Sequence, residues 1–77
     1  MVFEKVRKIL SDQFSVDESN ITLQTNIAED LGADSLDVID ILMSVEDEFN
    51  IEVPDEEAEK VKTVGQMVSY IKKRLES

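Results

Sequence analysis

Asp34-Ser35-Leu36-Asp37-Val38-Ile39-Asp40-Ile41-Leu42-Met43-Ser44-Val45-Glu46-Asp47-Glu48-Phe49 is the stretch on which the reading of this chain turns. Val38, Leu42, Val45 and Phe49 recur at i, i+4, i+7 and i+11, with Ile41 beside them. That spacing predicts a helix from Asp34 or Ser35 to about Asn50 with a broad apolar face. Leu36, Ile39 and Met43 follow at i, i+3 and i+7 on a flank of this face, interleaved with Asp37, Asp40, Asp47 and Glu48. The flank has two readings. It is either the outer part of a wide core face, or an apolar strip framed by carboxylates that suits Arg/Lys-rimmed surfaces which must bind and release quickly.

The same period recurs on both sides of this stretch. Phe3, Val6, Ile9 and Leu10 predict a first helix from about Val2 to Phe14, with Glu4, Lys5, Arg7 and Lys8 on its other face. Thr63-Val64-Gly65-Gln66 fits a capping box, and Val64, Met67, Val68, Ile71 and Leu75 continue it as a helical stripe ending in Lys72, Lys73 and Arg74. Pro54-Asp55 opens a short helix to about Lys60. Asn50 to Val53 is too short a run to pair as a strand. The polar segment from Ser15 to Asp34 is long for a bare connection, so an ordered loop is expected, pinned by Val16, Ile21, Leu23, Ile27 and Leu31. The fold class expected is all-α: a four-helix bundle of three longer helices and one short one, with a long ordered first loop, making a single domain over residues 1–77.

Composition narrows the function. Of 77 residues 42% are hydrophobic and 34% charged, which is globular rather than disordered. A chain of this length holds a core worth roughly 3–5 kcal/mol net and has no room for a large enclosed cavity. It contains no Cys and no His, which removes disulfides, thiolate nucleophiles, Cys/His metal sites and imidazole triads together. The net charge is −10, and all acidic residues but Glu4 and Glu76 lie between Ile9 and Glu59, where there is no Lys or Arg. Nucleic acid and anionic membrane are disfavoured by that sign, and basic protein surfaces are favoured. A calcium loop of EF-hand type is excluded, because neither Gly32 nor Gly65 stands sixth in a run of alternating Asp/Asn ligands. No apolar run approaches ~18 residues, so no membrane insertion is expected. With no signal-peptide pattern at the N-terminus, the cytoplasm is the expected location.

Chemistry concentrates at Asp30-Leu31-Gly32-Ala33-Asp34-Ser35-Leu36-Asp37. Gly32 precedes a helix start, and Asp34 is suited to the N-cap. Ser35 then falls in the first turn, where unpaired N–H groups and the dipole favour a negative group on its oxygen. As a nucleophile Ser35 lacks a base, since Lys5, Lys60 and Lys72 belong to other helices. On local rules alone the residue reads first as a plain capping serine, since Ser/Asp pairs at helix starts are common.

The string EDLGADSLD, the acidic helix behind it and EFNIEVPDEEAEKVKTV resemble, over essentially the whole chain, the acyl carrier proteins of bacterial type-II fatty acid synthesis. A D-S-L tripeptide alone occurs by chance in roughly a few per cent of chains this size; its flanks make the match specific. The resemblance implies a phosphopantetheine arm attached covalently at Ser35, with Asp34 and Leu36 completing the motif, and acyl groups carried as thioesters on the arm's thiol. The absence of Cys then fits, since the sulfur comes with the arm. It implies a carrier rather than an enzyme, with no catalytic residue and no metal. It favours the second reading of the flank, so Asp37, Ile39, Asp40, Met43, Asp47 and Glu48 are the expected docking residues. The expected partners are a phosphopantetheinyl transferase and fatty acid synthesis enzymes with basic patches, and the carrier is expected to be a monomer. Departures are few: Phe14-Ser15 replaces a frequent Leu-Gly, Val38 a frequent Thr and Ser44 a frequent Ala. An unmodified acidic interaction module, or a carrier for polyketide or aminoacyl groups, is the alternative.

Overall fold

Periodicity and capping chemistry together place the helices in a computed structural model that describes residues 2–76. Helix α1 spans Val2–Phe14, α2 Ser35–Phe49, α3 Asp55–Ala58 and α4 Val64–Glu76, with a 3-10 turn at Glu18–Asn20. Among the described residues there is no strand, and the all-α bundle of three longer helices and one short one is what the sequence predicts. Helix α1 packs against α4 and α2, and α3 lies against α2. The core joins Val6 and Leu10 of α1, Ile41, Leu42 and Val45 of α2, and Val64, Met67, Val68 and Ile71 of α4. Helix α3 buries no residue fully.

Both α1 and α2 end without glycine. Ser15 (φ 55°) and Asn50 (φ 55°) take the left-handed conformation, and the next residue's N–H reaches back to the last turn. Val16 donates to the Ser11 carbonyl at 3.2 Å, and Ile51 to the Glu46 carbonyl at 3.2 Å. These are Schellman closures. Asn tolerates this region well, whereas serine is strained there. The Ser11 hydroxyl ties the first closure down by donating to the Val16 carbonyl. The end predicted for α1 is therefore right even without the family's glycine.

The long first loop is ordered by its own side chains. Asp17 accepts from the backbone N–H and the hydroxyl of Ser19, each at 3.0 Å, which sets the 3-10 turn. The Thr25 hydroxyl accepts from the Thr22 N–H at 2.8 Å, and Thr25 is buried. Asn26 and Asp30 close a further turn: Asp30 accepts from the Asn26 N–H at 2.8 Å, and Asn26 accepts from the Glu29 N–H at 2.8 Å. Ile21 and Ile27 pin the loop to the core as expected, and Val16 and Leu31 pack against it. Leu23 does not, being half-exposed; what holds there is its carbonyl, which accepts from the Gly65 N–H at 2.8 Å.

That bond is one of three that stitch the loop to the start of α4. Ile27 donates to the Lys62 carbonyl at 2.9 Å and Val64 to the Thr25 carbonyl at 3.0 Å, around an isolated antiparallel bridge between Asn26 and Thr63. Gly65 is required by space: a Cβ there would lie 2.9 Å from the Leu23 carbonyl oxygen. The capping box predicted for α4 is formed, Gln66 N–H donating to the Thr63 hydroxyl at 3.2 Å and Thr63 N–H to the Gln66 side-chain oxygen at 3.1 Å. One boundary and one core residue differ from expectation. Helix α3 stops at Ala58 rather than near Lys60, because Lys60 and Val61 bond back only three residues, to Glu57 and Ala58, and tighten the chain out of the helix. Leu75 leaves the core stripe and is half-exposed in the last turn of α4.

Candidate functional site

The loop delivers the chain to α2 through Gly32, whose φ of 70° only glycine takes without strain. Asp34 follows in extended conformation as the N-cap of α2, its carboxylate accepting the Asp37 N–H at 2.9 Å; the Asp37 carboxylate returns the bond to the Asp34 N–H at 3.2 Å. This box has a direct bearing on Ser35. The capping role belongs to Asp34, and Ser35 is the first helical residue, exposed, its hydroxyl without a hydrogen-bond partner among the described residues. Ser11 and Ser19, in contrast, are both engaged in turns. The capping-serine reading of Ser35 is thus overturned. What remains is a free hydroxyl at the positive end of a four-turn helix, where a phosphodiester oxygen is well placed.

Ser35 also stands at the mouth of a cleft of about 440 Å³ between α2 and α3. Val38, Ile39 and Leu42 line one wall, and Asp55, Ala58, Glu59 and Val61 the other. A group on the serine oxygen therefore has an apolar furrow beside it and solvent on its other side. A larger cleft of about 610 Å³, between the first loop, α3 and α4, does not include Ser35.

The flank residues of α2 are brought together on the surface. Leu36 is 70%, Ile39 51% and Met43 60% exposed, an unusual display of large apolar side chains along one helix. Asp40, Asp47 and Glu48 are exposed beside them, whereas Asp37 is partly buried and committed to the cap. Ile39 does double duty, on the strip and on the wall of the Ser35 cleft. Asp47 and Glu48 also line a groove shared with Ser44 and with Ile9 of α1. No cation sits in the last turn of α2; Lys5 of α1 places its ammonium 5.7 Å from the centre of the Phe49 ring. The cleft wall supplied by α3 and the Glu46 side chain, which accepts the Val53 N–H at 3.0 Å, are features the sequence reading did not find. Only the proximity of Glu46 to the turn at Asn50 could have signalled the second.

A small helical bundle presenting a free serine at the start of its central helix, beside an apolar furrow, is the architecture of a carrier domain. The family described as "Phosphopantetheine attachment site" matches residues 4–71. The chain is 53% identical over 76 residues to an acyl carrier protein of Clostridium acetobutylicum, covering 99% of both chains. It is 51% identical over 71 residues to one of Lactobacillus acidophilus, covering 92% of this chain and 89% of the other. Its fold is similar to that of the acyl carrier protein from Enterococcus faecalis, with a TM-score of 0.83 at 45% identity, over 95% of this chain and 92% of that one. The chain belongs to the acyl carrier protein family: it is a carrier, not an enzyme, and its prosthetic group is a covalently attached phosphopantetheine.

Proposed function

We propose that this protein carries growing fatty acyl chains as thioesters on a phosphopantetheine arm esterified to Ser35, and delivers them to the enzymes of fatty acid biosynthesis. The observation that carries the reading is the unengaged Ser35 hydroxyl at the first position of α2, opening on the α2–α3 cleft. When bound, the arm supplies the terminal thiol on which acyl groups ride. The chain's own residues do the rest. Asp34 and Asp37 fix the backbone so that Ser35 stays at the helix tip, and Leu36 extends from it into solvent as the first apolar contact for a partner. Val38, Ile39 and Leu42 offer cover to cargo folded back along the cleft. Asp40, Asp47 and Glu48 steer basic partner surfaces, the transferase that installs the arm included, while Ile39 and Met43 provide the desolvated contact. The reading carries with it a monomeric chain at work in the cytoplasm; among the described residues no helix is long and apolar enough to cross a membrane.

Apo protein incubated with coenzyme A and a phosphopantetheinyl transferase is expected to gain the mass of one arm, and Ser35→Ala to gain none. An arm mapped by peptide sequencing to Ser11, Ser15, Ser19, Ser44, Ser69 or Ser77 would end the assignment.

A further inference from the structure

Helix α3 forms one wall of the Ser35 cleft, yet little of it is anchored. It is a single turn, it buries no residue fully, and its N-cap, Pro54, makes no side-chain capping bond. Ala58 and Val61 pack its C-terminal side against the core, and its N-terminal side hangs from α2 by the segment from Asn50 to Val53. Three N–H groups of that segment converge on one residue. The Glu46 carbonyl accepts from Asn50 and from Ile51, the latter at 3.2 Å, and the Glu46 carboxylate accepts from Val53 at 3.0 Å in a partly buried setting. Val53 is the residue before Pro54, whose carbonyl in turn accepts the N–H groups of Glu57 and Ala58, each at 3.0 Å. Glu46 stands one turn beyond Leu42 on the cleft side of α2. A carboxylate on the wall-forming side of one helix therefore holds the backbone immediately ahead of the opposite wall.

We propose that Glu46 is a positioning residue for the cargo cleft: through its bond to Val53 it sets the spacing of α3 from α2, and with it how far an acyl chain is sheltered. This rests on the acyl-carrier reading of Ser35. Glu46 touches no cargo; it acts through Val53 and Pro54. What matters is a side-chain oxygen at the reach of a glutamate, so Gln can replace it, and Asp, one methylene shorter, cannot.

Amide hydrogen exchange on apo wild type, Glu46→Gln, Glu46→Asp and Glu46→Ala tests the latch without cargo. Protection of the Val53, Ala58 and Glu59 amides is expected to fall about tenfold or more in the Ala and Asp variants and to stay near wild type in Gln, with Ile41, Val45 and Val68 unchanged in all four. Loss spread equally over those core amides, Val53 protection unaltered in Ala, or Gln behaving as Ala would each overturn the proposal. The same four proteins, each carrying an octanoyl thioester on the arm, are then cleaved with hydroxylamine. Faster cleavage in Ala and Asp than in wild type and Gln is expected; equal rates in all four would show that the latch does not govern the cleft. Failure of the transferase to load any of the four counts against the acyl-carrier reading, and the exchange data still decide the latch.

Discussion

Asp34 and Asp37 cap each other at the start of α2, the Asp34 carboxylate on the Asp37 N–H at 2.9 Å and the Asp37 carboxylate on the Asp34 N–H at 3.2 Å. Two like charges face each other across one helical turn, and what offsets their repulsion is the positive end of the dipole and two otherwise orphaned donors. Asp34→Ala is expected to lower stability by about 1 kcal/mol, a fall in Tm of about 4–8 °C for a domain of this size. Asp34→Ser should recover most of it. Thermal melts followed by circular dichroism decide; an unshifted Ala variant would mean that the box contributes nothing.

The same pair bears on how docking is tested. Reversing Asp37 removes a cap as well as a surface charge, so Asp40, exposed and outside the box, is the cleaner probe. Asp40→Lys is expected to slow association with an immobilised phosphopantetheinyl transferase, with a loss that shrinks at high salt. Met43→Ala should speed dissociation and depend little on salt. Kinetics at two ionic strengths, with Glu4→Lys on α1 as control, check both. A Glu4 variant as impaired as the Asp40 variant would move the docking face off α2.

Two glycine exchanges are expected to have opposite signs. Ser15 is held at φ 55°, so Ser15→Gly relieves strain and should stabilise by about 0.5–1 kcal/mol. At Gly65 a new Cβ would press on the Leu23 carbonyl, and Gly65→Ala should destabilise by about 1–3 kcal/mol as the loop is pushed from α4. Urea unfolding measures both. A Gly65→Ala protein as stable as wild type would show that the loop yields freely.

Asp17 is the carboxyl held below its ordinary value of 3.8, first by the Ser19 backbone N–H and then by the Ser19 hydroxyl. A depressed carboxyl favours the fold above its unfolded pKa, and that contribution is lost as pH falls through the folded value. An NMR titration of the side chain is expected to show a midpoint below 3.8, and Ser19→Ala should raise it only part of the way, since the backbone donor remains. A Ser19→Ala midpoint equal to wild type would assign the whole effect to the backbone.

Much of this was legible in the residues, and what was not has physical reasons. The bounds of α1, α2 and α4 follow from apolar spacing and from Asp34, Thr63 and Gln66, because helix ends are decided by neighbours in the chain. Ser35 was found by its motif, but its freedom from the cap depends on which of two adjacent side chains reaches Asp37, and only geometry shows that. The bridge of Asn26 with Thr63 joins residues far apart, so no local pattern announces it. Leu23 and Leu75 keep the right period yet stay half-exposed, one at a loop edge and one at a helix end where no partner element covers them.

Because the Ser35 hydroxyl has no hydrogen-bond partner among the described residues, a substituent there breaks no native hydrogen bond. By reciprocity the fold then exerts almost no pull on whether that oxygen is esterified, beyond the ~0.3–1 kcal/mol that a helix start lends to an anion. Bare and armed forms should share one scaffold of nearly equal stability, and a loaded form should differ by what its acyl chain gains in the α2–α3 cleft. The protein works as a neutral currency token, stamped and cleared at will, and choice among its states is left to whichever surface reads the acidic helix.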